Sequence, residues 1–292
     1  MLAEKTSNCD EAIVNAAIAD VGEIATLPEV TLKIIKIVEN PKSTARDLHE
    51  VIKNDPALAT RILKVVNSAF YGLPGQIASV DRAIVLLGLS AVKNIAIAAS
   101  MTRLFQCGEQ IEGFSAVDLW RHSITVAVAC RQITTAQGRS NVDESFLAGL
   151  IHDLGILVER QVFPRKLAEI IAKQKSDGGD FTELEREVIG ADHQAFGMAL
   201  ATKWRFPRLL CAAIGYHHNL DALAPENREL ATLVHVADII ACKAKIGFST
   251  TAENCEVQAD QLELLNLSSE KLEVIQEELA EQVSDAENLF RE

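Results

Sequence analysis

The dipeptide His152-Asp153 lies inside an apolar, glycine-flanked run, Ala148-Gly149-Leu150-Ile151-His152-Asp153-Leu154-Gly155-Ile156. Any fold of this chain must therefore place an imidazole and a carboxylate side by side in apolar surroundings. That is costly unless each group finds a partner, and a cation supplies one. The pair does not stand alone. His122 precedes it, and His193, His217, His218 and Asp238 follow, so five of the seven histidines form an ordered series with two aspartates. A lone histidine on an apolar helix face is more often a hydrogen-bonded core residue than a ligand, and His-Asp arises by chance in many chains. It is the ordered set that points to one cavity. Imidazole nitrogens and carboxylate oxygens gathered together suit Fe, Mn, Zn or Ni rather than calcium or a thiolate cluster.

The expected fold class is all α. No alternating Val/Ile/Thr run bounded by hairpin turns appears, whereas helix punctuation recurs along the chain. Pro28 opens a helix that Asn40-Pro41 ends, Thr44-x-x-Asp47 reads as a capping box, and Asp55-Pro56 sets an N-cap before a first-turn proline. Ser79 and Ser90 are expected N-caps of the next two helices, with Gly88 as the stop between them. Ser115 is expected to cap the helix carrying His122, and Thr182-x-x-Glu185 to start the one before His193. Residues 1 to 22 read as one helix. Ala222 to Asn227 is a loop candidate between the His217-His218 helix and the one bearing Asp238. From Ser268 to Glu292, Leu272, Ile275, Leu279 and Val283 alternate with Lys271, Glu273, Glu277, Glu278 and Glu281, the pattern of a solvated helix docked on its own domain.

Composition excludes several functions. A net charge of -13 argues against nucleic acid as the main ligand, since phosphate backbones are bound through Lys and Arg. A hydrophobic content of 48% with only 5% aromatics suits helices packed through small residues. The N-terminus lacks a basic stretch leading into an apolar core, and the most apolar region, Ala83 to Met101, is broken by Lys93 and Asn94, so neither a secretory signal nor a membrane span is expected. The six cysteines, Cys9, Cys107, Cys130, Cys211, Cys242 and Cys255, have no C-x-x-C spacing and read as reduced core thiols of a cytoplasmic protein.

Two sets of residues carry a resemblance. The first is Asn54-Asp55-Pro56-Ala57-Leu58, Val66-Asn67-Ser68-Ala69-Phe70-Tyr71-Gly72, Ile77-x-Ser79-Val80-x-x-Ala83-Ile84 and Leu87-Gly88. The second is Leu119-Trp120-x-His122-Ser123, Ala148 to Gly155, His193-x-x-Phe196-Gly197-x-x-Leu200 and Trp204-x-x-Pro207. Together they resemble the HDOD domain, the HD-related output domain of bacterial signalling proteins, over roughly Gly22 to Ile246. The resemblance implies an N-terminal helix over 1–21, an HDOD domain over 22–246 and a C-terminal helical extension over 247–292. Within the domain, a helical layer (22–114) packs on an HD-like core (115–246). No receiver, GGDEF or kinase segment is attached, so a stand-alone member is expected.

By the same resemblance, the H...HD...D set of HD phosphohydrolases assigns His122, His152, Asp153 and Asp238 to one divalent ion. The extra histidines of HD-GYP phosphodiesterases correspond to His193, His217 and His218 and imply a second. His217 and His218 could reach different ions or different sides of one. Two cations would lower the pKa of a bridging water from 15.7 toward roughly 7, with Asp153 as bridging ligand and, were the site hydrolytic, as its catalytic residue. HD-GYP enzymes usually follow the HD pair with a phosphate-binding lysine, HDxGK, where this chain has Ile156, and no GYP triplet is in place. Two readings stay open. One is a signalling module with a metal site, output through protein partners and room for a nucleotide or phosphoester ligand or self-association. The other is a metal-dependent phosphohydrolase acting on a phosphomonoester or cyclic nucleotide. The Asn67 to Gly72 motif also reads two ways: as a helix end with Gly72 in a left-handed cap, Pro74-Gly75 as a turn and Phe70 and Tyr71 in the core, or as part of a recognition face shared by Arg61, Lys64, Asn67 and Tyr71.

Overall fold

Most helix starts written in the sequence are the ones the chain uses. The computed structural model describes residues 10–22, 29–40, 42–68, 71, 73, 75–106 and 111–290. In chain order its helices are α1 (Glu11–Asp20), α2 (Glu29–Glu39), α3 (Ala45–Ile52), α4 (Pro56–Val66), α5 (Val80–Leu87), α6 (Leu89–Gln106), α7 (Ala116–Ala136), α8 (Val142–Ile151), α9 (Leu154–Val162), α10 (Pro164–Asp177), α11 (Phe181–Val188), α12 (His193–Lys203), α13 (Arg208–Tyr216), α14 (Arg228–Lys243), α15 (Ala259–Leu264) and α16 (Ser269–Phe290). Thr44 and Asp47 close the capping box of α3, Asp55 caps α4, Ser79 caps α5 and Ser115 caps α7. Each cap satisfies an N–H that the first turn leaves without an intrahelical partner. The expected loop at 222–227 is built largely from two short 3-10 turns, Leu220–Ala222 and Pro225–Asn227. No strand forms among the described residues, and the fold class is all α.

Two expected starts are corrected. Gly88, at φ 89°, ends α5 and α6 begins at once with Leu89, so Ser90 lies inside the first turn and caps nothing. Glycine takes that positive φ without steric cost, which lets one residue stop a helix and redirect the chain. At α11 the cap is Asp180, not Thr182: its carboxylate accepts the N–H of Glu183, and Thr182 Oγ1 donates to the same carboxylate. An ionised acceptor makes the stronger bond, and Glu185, the expected box partner, is left to turn toward His193. Pro28, Pro41, Phe70, Gly72, Pro74, Cys9 and Cys107 lie outside the described residues.

Helix α7 is the axis of the fold, with α8, α14 and α16 packed along it. Its contact with α8 runs through small residues: a Cβ at Gly149 would stand 2.8 Å from Ala127 Cα. Helices α2, α4 and α5 pack on α6, which lies against α7 and α8. At this seam Tyr71 Oη donates to Asp143 Oδ1 at 2.8 Å, and the Arg131 guanidinium lies 4.7 Å from the Tyr71 ring centre and 3.5 Å from Asp143. Asn67 clamps the loop ahead of α5, donating from Nδ2 to Ile77 O and accepting the Ile77 N–H at Oδ1. Asn67 and Tyr71 are thus used inside the fold, and α4 ends at Asn67 with φ -84°.

The flanking helices close the outside. Helix α1 docks on α9 and α12, with Asp10 N donating to Gly190 O and Lys203 Nζ to Ile18 O. Helix α16 buries Leu272, Ile275, Leu279 and Val283 against α7 and also touches α4, while Arg121 Nε bonds Glu287 Oε1 at 2.7 Å. Burial at roughly 1.5–3 kcal/mol per large aliphatic side chain holds this highly charged helix in place. Among the described residues no helix is long and apolar enough to cross a membrane.

Candidate metal centre

The structure brings the whole ordered series to one place. His122 is on α7; His152 caps the end of α8 and Asp153 precedes α9, so the pair occupies the turn between two helices. His193 is the first residue of α12, His217 caps the end of α13 with His218 next, and Asp238 lies within α14. His217 and His218 therefore stand at a helix end and face different carboxylates. His217 Nε2 is 3.7 Å from Asp153 Oδ1, and His218 Nε2 is 3.7 Å from Asp238 Oδ2. Asp153 sits between two groups of imidazoles. Its Oδ2 is 3.3 Å from His152 Nε2 and 3.7 Å from His122 Nε2, while its Oδ1 is 3.5 Å from His193 Nε2. Asp238 Oδ1 lies 3.0 Å from His122 Nε2. His122, His152 and Asp153 form one group of donor atoms within 4.8 Å of each other, and His193, His217 and His218 form another.

These groups are buried and unsatisfied. Apart from His218, whose side chain is 6% exposed, none of the seven side chains reaches solvent. His122 Nε2, His152 Nε2, His218 Nε2, both oxygens of Asp153 and Asp238 Oδ2 have no hydrogen-bond partner of proper geometry. Unmade bonds of buried groups cost about 1–3 kcal/mol each, more for charged ones. His152 Nδ1 lies 2.7 Å from Gly149 O and His217 Nδ1 2.9 Å from Ile214 O. A carbonyl only accepts, so both Nδ1 atoms carry the hydrogen, and neutral rings turn bare Nε2 lone pairs inward. His193 Nε2 and His217 Nε2 face each other at 3.3 Å. That is unfavourable for two lone pairs and favourable with a cation between them. The donor set fits a divalent ion.

Electrostatics prepares the same state. Burial holds the imidazole of His217 below its ordinary range, and that of His218 well below it. Burial also opposes ionisation of Asp153 and Asp238, yet the facing histidines hold both carboxyls below the usual range. At His152 burial pushes down, but Asp153 and Asp238 outweigh it and the net direction is up. Neutral imidazoles at His217 and His218 beside ionised carboxylates are what metal binding requires, whereas at His152 an ion competes with a proton.

Several contributors were not visible in the motif. Glu185 accepts from His193 twice, at Nδ1 (2.8 Å to Oε2) and at the backbone N–H (3.1 Å). Glu159 on α9 is fully buried near Glu185, with neither oxygen hydrogen-bonded. Burial pushes the carboxyls of both Glu159 and Glu185 well above the usual range, with the Glu185 charge adding to the rise at Glu159 and the Asp192 charge to that at Glu185, while the His193 backbone N–H pulls Glu185 back down. Asp238 Oδ1 accepts from Thr251 Oγ1 and Cys242 Sγ, both at 3.4 Å. His235 packs edge-on to His218 with ring centres 6.2 Å apart. The available signal was a carboxylate on a core stripe: Glu185 shares the buried face of α11 with Phe181 and Thr182.

The backbone around the pair leaves no slack. A Cβ at Gly155 would fall 1.8 Å from His193 O, so α9 and α12 can meet head to head only with glycine there. Ile156, at the position where the HD-GYP pattern has lysine, is fully buried.

Comparison with known proteins gives this geometry its family. The HDOD domain model matches residues 24–220, which leaves Asp238 beyond the matched stretch. A protein of Treponema pallidum (strain Nichols), itself uncharacterised, is 27% identical over 226 residues, covering 77% of this chain and 43% of its own length; this chain spans less than half of that relative. An HDOD domain protein of unknown function from Geobacter sulfurreducens superposes with a TM-score of 0.81 at 21% identity, over 95% of this chain and 97% of its own. A candidate phosphohydrolase from Shewanella amazonensis SB2B gives 0.73 at 25% identity, over 96% and 98%. The chain belongs to the HDOD domain family.

Proposed function

We propose that this chain is a regulatory HDOD module of bacterial signal transduction. It holds one or two divalent ions (Fe, Mn, Ni or Zn) on His122, His152, Asp153, His193, His217, His218 and Asp238 and delivers its output through protein contacts in the cytoplasm. The observation that carries this reading is the sealing of the cluster: seven donors meet in one place, and a single ring edge, that of His218, touches solvent. A sealed cation ties together α7, the α8–α9 turn, α12, α13 and α14, so loading the site sets the stability and shape of the core offered to a partner. A bound ion would supply positive charge to groups that are otherwise orphaned. Ile156 supports the same choice, since a buried isoleucine gives a substrate phosphate no charge to meet.

A second reading, a metal-dependent phosphohydrolase, is favoured by one observation. The two oxygens of Asp153 face the two imidazole groups separately, as a carboxylate shared by two ions would. The Shewanella amazonensis protein supports it by likeness. Protein purified without chelator, analysed for metal and assayed on phosphomonoesters and cyclic dinucleotides with Mn, Fe, Ni or Zn, separates the readings. The module retains at least one ion per chain, loses it in Asp153→Ala and turns over nothing. Metal-dependent turnover that vanishes in Asp153→Ala establishes the hydrolase instead, and a chain that takes up no ion sinks both.

A further inference from the structure

The two halves of the cluster are held in different ways. On the His122 side, Asp238 supplies charge directly, and the His152 ring is oriented by a main-chain carbonyl. On the other side Asp153 faces His193 and His217 and Asp238 faces His218, and among the described histidines of the set His193 differs in that its Nδ1 meets a buried side-chain carboxyl. Glu185 Oε2 accepts from both the ring Nδ1–H and the backbone N–H of His193, at 2.8 and 3.1 Å, and Oε1 lies 2.9 Å from the same Nδ1. Glu185 is itself fully buried and comes from α11, which also packs the Phe181 ring beside His193, with ring centres 6.2 Å apart.

From this geometry we infer that Glu185 is the positioning residue of the His193–His217–His218 half: it fixes His193 as the Nδ1–H tautomer, with its ring turned so that Nε2 is presented as a lone pair for a cation. The inference deepens the metal reading and rests on it for the identity of the ligand, but the tautomer is a property of the protein alone. Without the carboxyl group, the oxygen facing the ring is Asp153 Oδ1, 3.5 Å from Nε2, which draws the hydrogen toward the nitrogen that must stay bare. A hydrogen on Nε2 would point at His217 Nε2, 3.3 Å away, and close that half of the site. An oriented acceptor behind a ligating histidine typically contributes 10- to 100-fold in metal affinity.

The test uses the full-length chain in two states. In chelated protein, ring 15N shifts identify the His193 tautomer, the resonance being assigned by its loss in His193→Gln. The expected result is a single Nδ1–H form in the parent and a mixture in Glu185→Ala. Glu185→Gln should restore the single form, because one amide oxygen at the Oε2 position can accept both N–H groups. Mn2+ and Zn2+ titrations then give affinity: about 10- to 100-fold weaker for the His193 half in Glu185→Ala, less than about tenfold in Glu185→Gln. Tyr71→Phe, in the satisfied seam away from His193, should change neither readout. The inference is overturned if Glu185→Ala keeps the parent tautomer or binds within twofold of it, if Glu185→Gln loses as much as Glu185→Ala, or if Tyr71→Phe does the same damage. A parent that binds no metal yet shows the tautomer switch disposes of the metal reading and leaves the positioning role standing.

Discussion

Two polar regions of this molecule invite comparison: the half-buried Tyr71–Asp143–Arg131 seam between the N-terminal layer and the core, and the sealed histidine–aspartate cluster inside the core. At the seam the phenol, the carboxylate and the guanidinium satisfy one another. In the cluster, four or more donors and acceptors point at each other without a proper bond. The seam is partly exposed and satisfied, while the cluster is sealed and unsatisfied, and that difference implies different purposes. The seam is complete as protein and serves to hold two layers together. The cluster is unsatisfied as protein, and a cation of the kind proposed would satisfy it.

The largest expected effect tests that contrast directly. Loading a divalent ion at about a thousandfold excess over its dissociation constant should raise unfolding stability by about 4 kcal/mol, measured by urea denaturation with and without chelator. Asp153→Ala should abolish the gain, whereas Tyr71→Phe should leave it intact; equal gains in all three proteins would break the comparison. Next comes Gly155→Ala, expected to cost about 3 kcal/mol by forcing α9 from α12, read in the same denaturation experiment on chelated protein. A loss under about 0.5 kcal/mol would mean that the head-to-head contact yields easily. Smaller again, Tyr71→Phe should cost about 1–2 kcal/mol by removing one bond of a satisfied network, with metal content by elemental analysis unchanged.

The smallest effect is a pH dependence. His217 and His218 have folded-state pKa values held down by burial, so below about pH 6.5 the unfolded chain takes up protons that the folded one refuses, and stability falls as pH drops. His152, raised in the fold, acts in the opposite sense: its contribution is fully present below that pH and fades as pH rises through its folded value. His235, also held down by burial, adds to the loss, whereas Glu159 and Glu185, held up by burial, gain stability as pH falls; with both replaced by Gln, the imidazoles should give a net loss for chelated protein between pH 7 and 5. Loaded protein should lose more steeply, because protons also displace the ion. A flat chelated profile in that double-Gln protein would mean that the four imidazoles cancel.

Much of this was legible in the chain itself. Caps such as Thr44, Asp55, Ser79 and Ser115 act within three residues, so local sequence suffices to place the helix starts, and the order of His122, His152, Asp153, His193, His217, His218 and Asp238 marks one site because nothing else explains ionisable residues in apolar runs. Where two local signals compete, as at Asp180 against Thr182 or Gly88 against Ser90, sequence alone misplaces the start. What only the tertiary structure decided is who stands behind the site. Glu185, Glu159, Thr251 and Cys242 reach it from α11, α9, the segment after α14 and α14, and no sequence spacing encodes contacts made by folding distant helices together. The same holds for the sealing of the cluster and for the separation of the two faces of Asp153: local bonding sets each helix, but the solvent exposure of its polar residues depends on every element packed around them.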